Sequence, residues 1–152
     1  MASQQHPVIG SWRIDLYPDD QPSVNHALVA FLAEGVLIAS PPPVEPFSPA
    51  EEGAVYVATG LGAWQVNEND EVELGFVAQS TDSKGALLGF GSARASERLD
   101  AETGMISGRY HFEEAGQDEA VFATEDGTVR GIRITSSSPE RSRYLPTAVG
   151  VS

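Results

Sequence analysis

Polar and apolar residues alternate one by one along most of this chain, and Gly- or Asp-containing turns separate the alternating stretches. A period of two fits a β-strand with one buried face and one wet face. The cleanest run sets Val72, Leu74, Phe76 and Ala78 against Glu71, Glu73, Gly75 and Gln79, closed by the turn Asp82-Ser83-Lys84-Gly85. Trp12, Ile14 and Leu16 alternate with Ser11, Arg13 and Asp15 in a first strand. Val24 to Ala33 and Val36 to Ala39 form a hairpin about Glu34-Gly35, with a helix as the rival reading of its first arm. Pro41 to Pro49 lacks the donors a ladder needs, so it reads as an extended loop lying over one mouth. Ala54 to Thr59 and Leu61 to Val66 follow, with a bend at Gly60 and Gly62, and then Leu87 to Leu99 and Met105 to Glu113. Glu119 to Thr124 and Thr128 to Thr135 complete the set, with a turn at Glu125-Asp126-Gly127 between them. The expectation is an all-β chain: a single up-and-down antiparallel β-barrel of eight or nine strands over residues 10–135. Residues 1–9 read as an N-terminal extension, with His6 in a frayed end, and residues 136–152 as a flexible tail.

Composition narrows the partners. Nine basic residues against 22 acidic ones leave a net charge of −13, which repels nucleic-acid phosphates and anionic lipid surfaces. No nucleic acid and no membrane partner is therefore expected, and a homodimer is left open. The absence of cysteine removes disulfides and thiolate nucleophiles, which is compatible with a reducing cytoplasm. The first residues lack the basic and apolar regions of a secretory signal, so the reading is of a soluble, cytoplasmic protein. His6, His26 and His111 are too scattered for a metal site, and no cofactor motif is present. Gly89-Phe90-Gly91 lies inside a strand without a following helix or Lys, which disfavours a phosphate loop.

Gly10-Ser11-Trp12 at the start of the first strand resembles the G-x-W signature of lipocalin-like barrels, and Gly131-Ile132-Arg133 is similar to the segment where those proteins set an Arg against that Trp. The resemblance implies that Trp12 plugs a closed end with Arg133 packed on its ring. It also implies a calycin or allene oxide cyclase-like barrel, a group that holds carriers of apolar molecules as well as cyclases and isomerases of natural-product pathways.

Residue size points to a cavity. Gly89, Gly91, Ala93 and Ala95 form a small face on one strand, opposite Ser92, Arg94, Ser96 and Arg98. Turned inward, that face leaves room against aromatic walls, the usual pattern of a small-molecule site, although glycines can equally relieve crowding where a barrel strand bends. The candidate substrate-binding residues are Trp64, Phe76, Phe90, Gly91 and Phe112. Tyr110, Tyr56 and His26 are the candidate catalytic residues, as hydrogen-bonding groups for a substrate carbonyl. The acidic pairs Glu113-Glu114 and Glu125-Asp126 lie beside turns and read as solvated charge. The function expected from this pattern is a cofactor-independent cyclase or isomerase that folds a largely apolar, polyene- or polyketide-like substrate of secondary metabolism. The alternative is a non-catalytic carrier using the same cavity, and a third reading is a filled barrel whose outer surface or tail binds a protein.

Overall fold

The computed structural model describes residues 6–42, 44–45 and 55–136. Among these residues ten strands occur in chain order: β1 (Gly10–Pro18), β2 (Asn25–Phe31), β3 (Val36–Ser40), β4 (Val44–Glu45), β5 (Val55–Val57), β6 (Gly60–Val66), β7 (Val72–Thr81), β8 (Leu87–Leu99), β9 (Ile106–Gly116) and β10 (Val121–Ile134). All pairings are antiparallel. Strand β1 bonds β2 on one side and β10 on the other, while β7 and β8 join the remaining edges. The ring β1-β2-β3-β6-β7-β8-β9-β10 is a closed eight-stranded barrel of up-and-down order. Closure leaves these strands without a free edge.

Local sequence explains the corners. In the β2–β3 hairpin, Glu34 and Gly35 both take positive φ, at 71° and 83°. The short 3-10 turn Ala33–Gly35 thus reverses the chain where the alternation breaks. Strands β5 and β6 run along the same partner, since Val57 faces Ser80 and Leu61 faces Val77. Their registers differ by one residue, so the two are one edge bent by a slip at Ala58-Thr59, and β4 pairs onto its outer end. The proline-rich segment therefore begins with Pro41 and Pro42 in extended chain and contributes the two-residue β4; residues 46–54 lie outside the described residues.

Two expectations differ from the structure. Glu125-Asp126-Gly127 is not a turn: these residues pair with Phe112, His111 and Tyr110 of β9, and Gly127 also pairs with Pro18 of β1. The continuous ladder to β9, joined by β1 from Gly127 onward, overrides the local turn preference. His6 is not frayed either. It is buried, its Nδ1 accepts from the Val8 amide at 3.1 Å, and its ring lies 6.4 Å from that of Trp64.

That docking belongs to the closed end of the barrel. Trp12 is fully buried, its indole N–H donates to the Val8 carbonyl at 2.8 Å, and the Arg133 guanidinium lies 4.4 Å from its ring centre. Arg133 also donates to the carbonyls of Ile9 (2.9 Å) and Pro7, which straps His6–Ile9 across the strand ends. Phe31 and Trp64 meet edge to face at 5.8 Å, and the Trp64 N–H donates to the Leu32 carbonyl at 2.8 Å. Each buried indole thus has its donor satisfied while its ring fills the plug. Trp12→Ala should lower stability by about 3–5 kcal/mol, measured by urea unfolding. An unmoved midpoint would show that the closed end does not rest on this ring.

Candidate functional site

Above the plug the barrel is not filled. A cavity of about 80 Å³ is bounded by Ile14, Val29, Phe31, Leu74, Phe76, Ala93, Ala95, Phe112 and Val129, and it reaches the rim at Asn25, Pro41, Pro42 and Glu125. Each strand that lines it contributes residues of a single parity, because successive side chains on a strand point to opposite faces. The walls are therefore the apolar halves of the alternating patterns.

Ala93 and Ala95 open the cavity, but the glycines of the same face do not. A Cβ on Gly89 would stand 1.8 Å from the Ala115 carbonyl oxygen, so this position is needed for the close approach of β8 and β9. A Cβ on Gly91 would meet Phe112 and Glu114 at 2.8 Å. The space beside Gly91 is already taken by these side chains, so the crowding-relief reading holds for both glycines.

The remaining site residues separate into three groups. Phe76, Phe112 and Tyr110 face the cavity together. Trp64 belongs to the plug. Tyr56 is 42% exposed and Phe90 41% exposed, both on the outer face, because Val55 and Val57 around the one and Gly89 and Gly91 around the other take the inward parity. His26 is also outside, where its Nδ1 lies 2.8 Å from Asp15 Oδ1, its register partner on β1. His111 sits on the outer face between Asp126 (2.8 Å) and Glu113 (3.0 Å), and those hydrogen bonds raise its pKa.

The polar chemistry of the interior comes instead from carboxyl groups that composition made look like surface charge. Glu97 on β8 is 4% exposed, borders the cavity, and its Oε2 has no hydrogen-bond partner. Burial alone pushes its carboxyl up to about 7. Glu125 borders the cavity near the rim and accepts from the Tyr110 phenol at 2.9 Å. Burial raises the Glu125 carboxyl against the lowering effect of that bond, and burial followed by the Glu125 contact raises the Tyr110 phenol. Glu114 is fully buried on β9, accepts from the Ser80 hydroxyl, and leaves Oε2 unpartnered; burial raises its pKa too. The strand parity carries a signal for two of them. Two residues beyond Ala95 is Glu97, and two beyond Phe112 is Glu114.

Among the described residues no basic side chain borders the cavity. Among the described residues no group of three or more His, Asp or Glu side chains is arranged to hold a metal ion, and no helix is long and apolar enough to cross a membrane. Compared with protein-family models, curated proteins and solved structures, the chain finds no match.

The Glu97 environment fixes a pH dependence. Its folded pKa of about 7 lies above the ordinary glutamate value of 4.5. Between those values the native protein keeps a proton that the unfolded chain has released, so stability falls as pH rises, by about 3 kcal/mol in total. Glu97→Gln keeps the shape and removes this titration. Thermal melts should show the variant losing less stability than the wild type between pH 5 and 8, and melting higher at pH 8. Parallel losses in the two proteins would place the Glu97 carboxyl in ordinary solvent.

Proposed function

We propose that this protein is a small-molecule barrel of lipocalin-like architecture that acts as a cofactor-independent cyclase or isomerase on a largely apolar substrate. The observation that carries the reading is the closed-ended apolar cavity into which a few polar groups converge: Glu97 within, and the hydrogen-bonded Tyr110–Glu125 pair toward the rim. Such a lining suits a ligand that is apolar over most of its surface and is oriented by one or two polar contacts. A volume of about 80 Å³, smaller than the roughly 150 Å³ that encloses a benzene ring, takes the reacting end of a longer polyene- or polyketide-like chain, or a compact ring that extends toward the rim. The remainder of a longer substrate would lie at the rim beside Pro41 and Pro42. Holding an unsaturated chain in one folded geometry supplies rate acceleration without a nucleophile, because orientation alone is worth on the order of 7–11 kcal/mol in favourable intramolecular reactions.

One observation favours a carrier instead. The Tyr110 hydroxyl already has its acceptor in Glu125, so it is not free to bind a carbonyl until that bond opens.

Cavity filling tests the site and product analysis separates the readings. Ala95→Phe should abolish the shifts that a compact neutral ligand such as indole produces in the methyl NMR signals of Ala93 and Val129, at a stability loss of about 1–3 kcal/mol. Unchanged shifts would show that ligand binds elsewhere. Incubated with short polyene and poly-β-keto compounds, the wild type should return cyclised or isomerised product and the filled variant should not. Recovery of bound but unaltered compound would favour the carrier.

A further inference from the structure

We infer that Glu97 is the proton-transferring group of the cavity, and that the substrate class is an enolisable, unsaturated carbonyl compound whose double bond is moved by proton relocation. This rests on the reading of the cavity as a substrate site and adds a reaction to it.

The geometry supplies the elements of such a step. Glu97 projects inward near the closed-end terminus of β8, among neighbours without polar side chains: Ala95 and Leu99 share its parity, and its register partners are Val72 on β7 and Gly108 on β9. Among the described residues no hydrogen bond or ion pair holds its carboxyl, and Oε2 is orphaned in a buried position. Leaving a buried polar group unpaired is costly, and a carboxyl with a purely structural role would ordinarily have a partner. Among the described residues the other titratable groups turned into the interior are Tyr110 and Glu125, which bond to each other, Glu114, which bonds to Ser80, and His6 at the closed end, which is held by the Val8 amide and Asp70. None of these touches Glu97, so one carboxyl is left free to exchange a proton with a bound molecule.

The step balances within substrate and side chain. Ionised Glu97 removes a proton from the carbon between the carbonyl and a β,γ double bond, and the C–H electron pair moves into a dienolate. The protonated carboxyl then delivers the same proton to the γ carbon, which moves the double bond into conjugation and restores the carboxylate. No oxidant, metal or second substrate enters. A carboxyl titrating near neutrality is suited to both halves, being able to take the proton and to return it. Among the described residues the cavity wall carries the carboxyl groups of Glu97 and Glu125 and no cationic side chain, which argues for a neutral carbonyl compound over a substrate with its own carboxylate, which such an acidic wall would repel.

β,γ-Cyclohexenone, a compact ring, serves as the probe, with conversion to the conjugated isomer followed by ultraviolet absorbance and binding followed by the methyl signals of Ala93 and Val129. The wild type should bind and isomerise it above the buffer rate, and the rate should rise with pH through a midpoint near 7 as Glu97 ionises. Glu97→Gln should bind the ring with similar affinity and turn it over at least about 100-fold more slowly, without that pH profile. Glu97→Asp should restore part of the rate. Binding without isomerisation, or equal rates in wild type and Glu97→Gln, would overturn the role of Glu97 while leaving the cavity site intact. Failure of the ring to bind at all would overturn both. If Glu97→Gln does not fold, wild-type turnover lacking a midpoint near 7 is sufficient to reject the proposal.

Discussion

Closure of the sheet governs this molecule. Because β1 is hydrogen-bonded to both β2 and β10, and β7 to β8, each of the eight strands has an inward and an outward parity with no edge at which to change it. A side chain's chemical surroundings follow from that parity more than from its own polarity. Glu97 is inside because Ala95 and Leu99 are on its parity, and Phe90 is outside because Gly89 and Gly91 are on the other. The same rule sends His26 and Asp15 outward together as register partners.

The two ends of the barrel have different chemistry for a physical reason. At the closed end large rings pack in satisfied contacts: Trp12 under Arg133, Phe31 against Trp64, and the His6–Ile9 strap hydrogen-bonded across them. Toward the rim the inward residues shrink to alanine and glycine and the carboxyl groups of Glu114 and Glu125 appear, whereas Glu97 lies nearer the closed end, beside Val72. Glu97, Glu114 and Glu125 each oppose folding to the extent that burial disfavours their charged forms. A closed end rich in packed aromatic rings offsets such groups elsewhere in the interior, and departures from a purely apolar core concentrate where function is exerted.

Much of the architecture was legible in the sequence because strand alternation is a local signal. The β7 pattern and the β2–β3 hairpin at Glu34-Gly35 are readable from short windows, whereas the contact of Trp12 with Arg133, from the first and last strands, was implied only by the resemblance to lipocalin-like barrels. The extra break at Glu125-Asp126-Gly127 was misleading, since these turn-forming residues are held in the strand by a continuous ladder to β9, joined by β1 at Gly127. The site was legible only in part. Phe76, Phe112 and Tyr110 lie on apolar parities, whereas Tyr56, Phe90 and His26 have suitable chemistry but outward parity. Gly91 has the right parity, yet Phe112 and Glu114 from the neighbouring strand fill its space, which one strand read alone does not reveal. Glu97 and Glu114 were obscured by the habit of assigning carboxylates to water; following the small face of β8 and the aromatic face of β9 two residues further brings both inside.

The central claim is that Glu97 lies in an apolar, ligand-sized interior with its carboxyl unpaired. Isotope-edited NMR of the glutamate side-chain carboxyl carbons, with the Glu97 signal assigned by its loss in Glu97→Gln, measures this directly. The account predicts one carboxyl titrating with a midpoint near 7, and a change in that midpoint when a neutral ligand fills the cavity. A Glu97 signal that titrates near the ordinary value of 4.5 and ignores the ligand would contradict it.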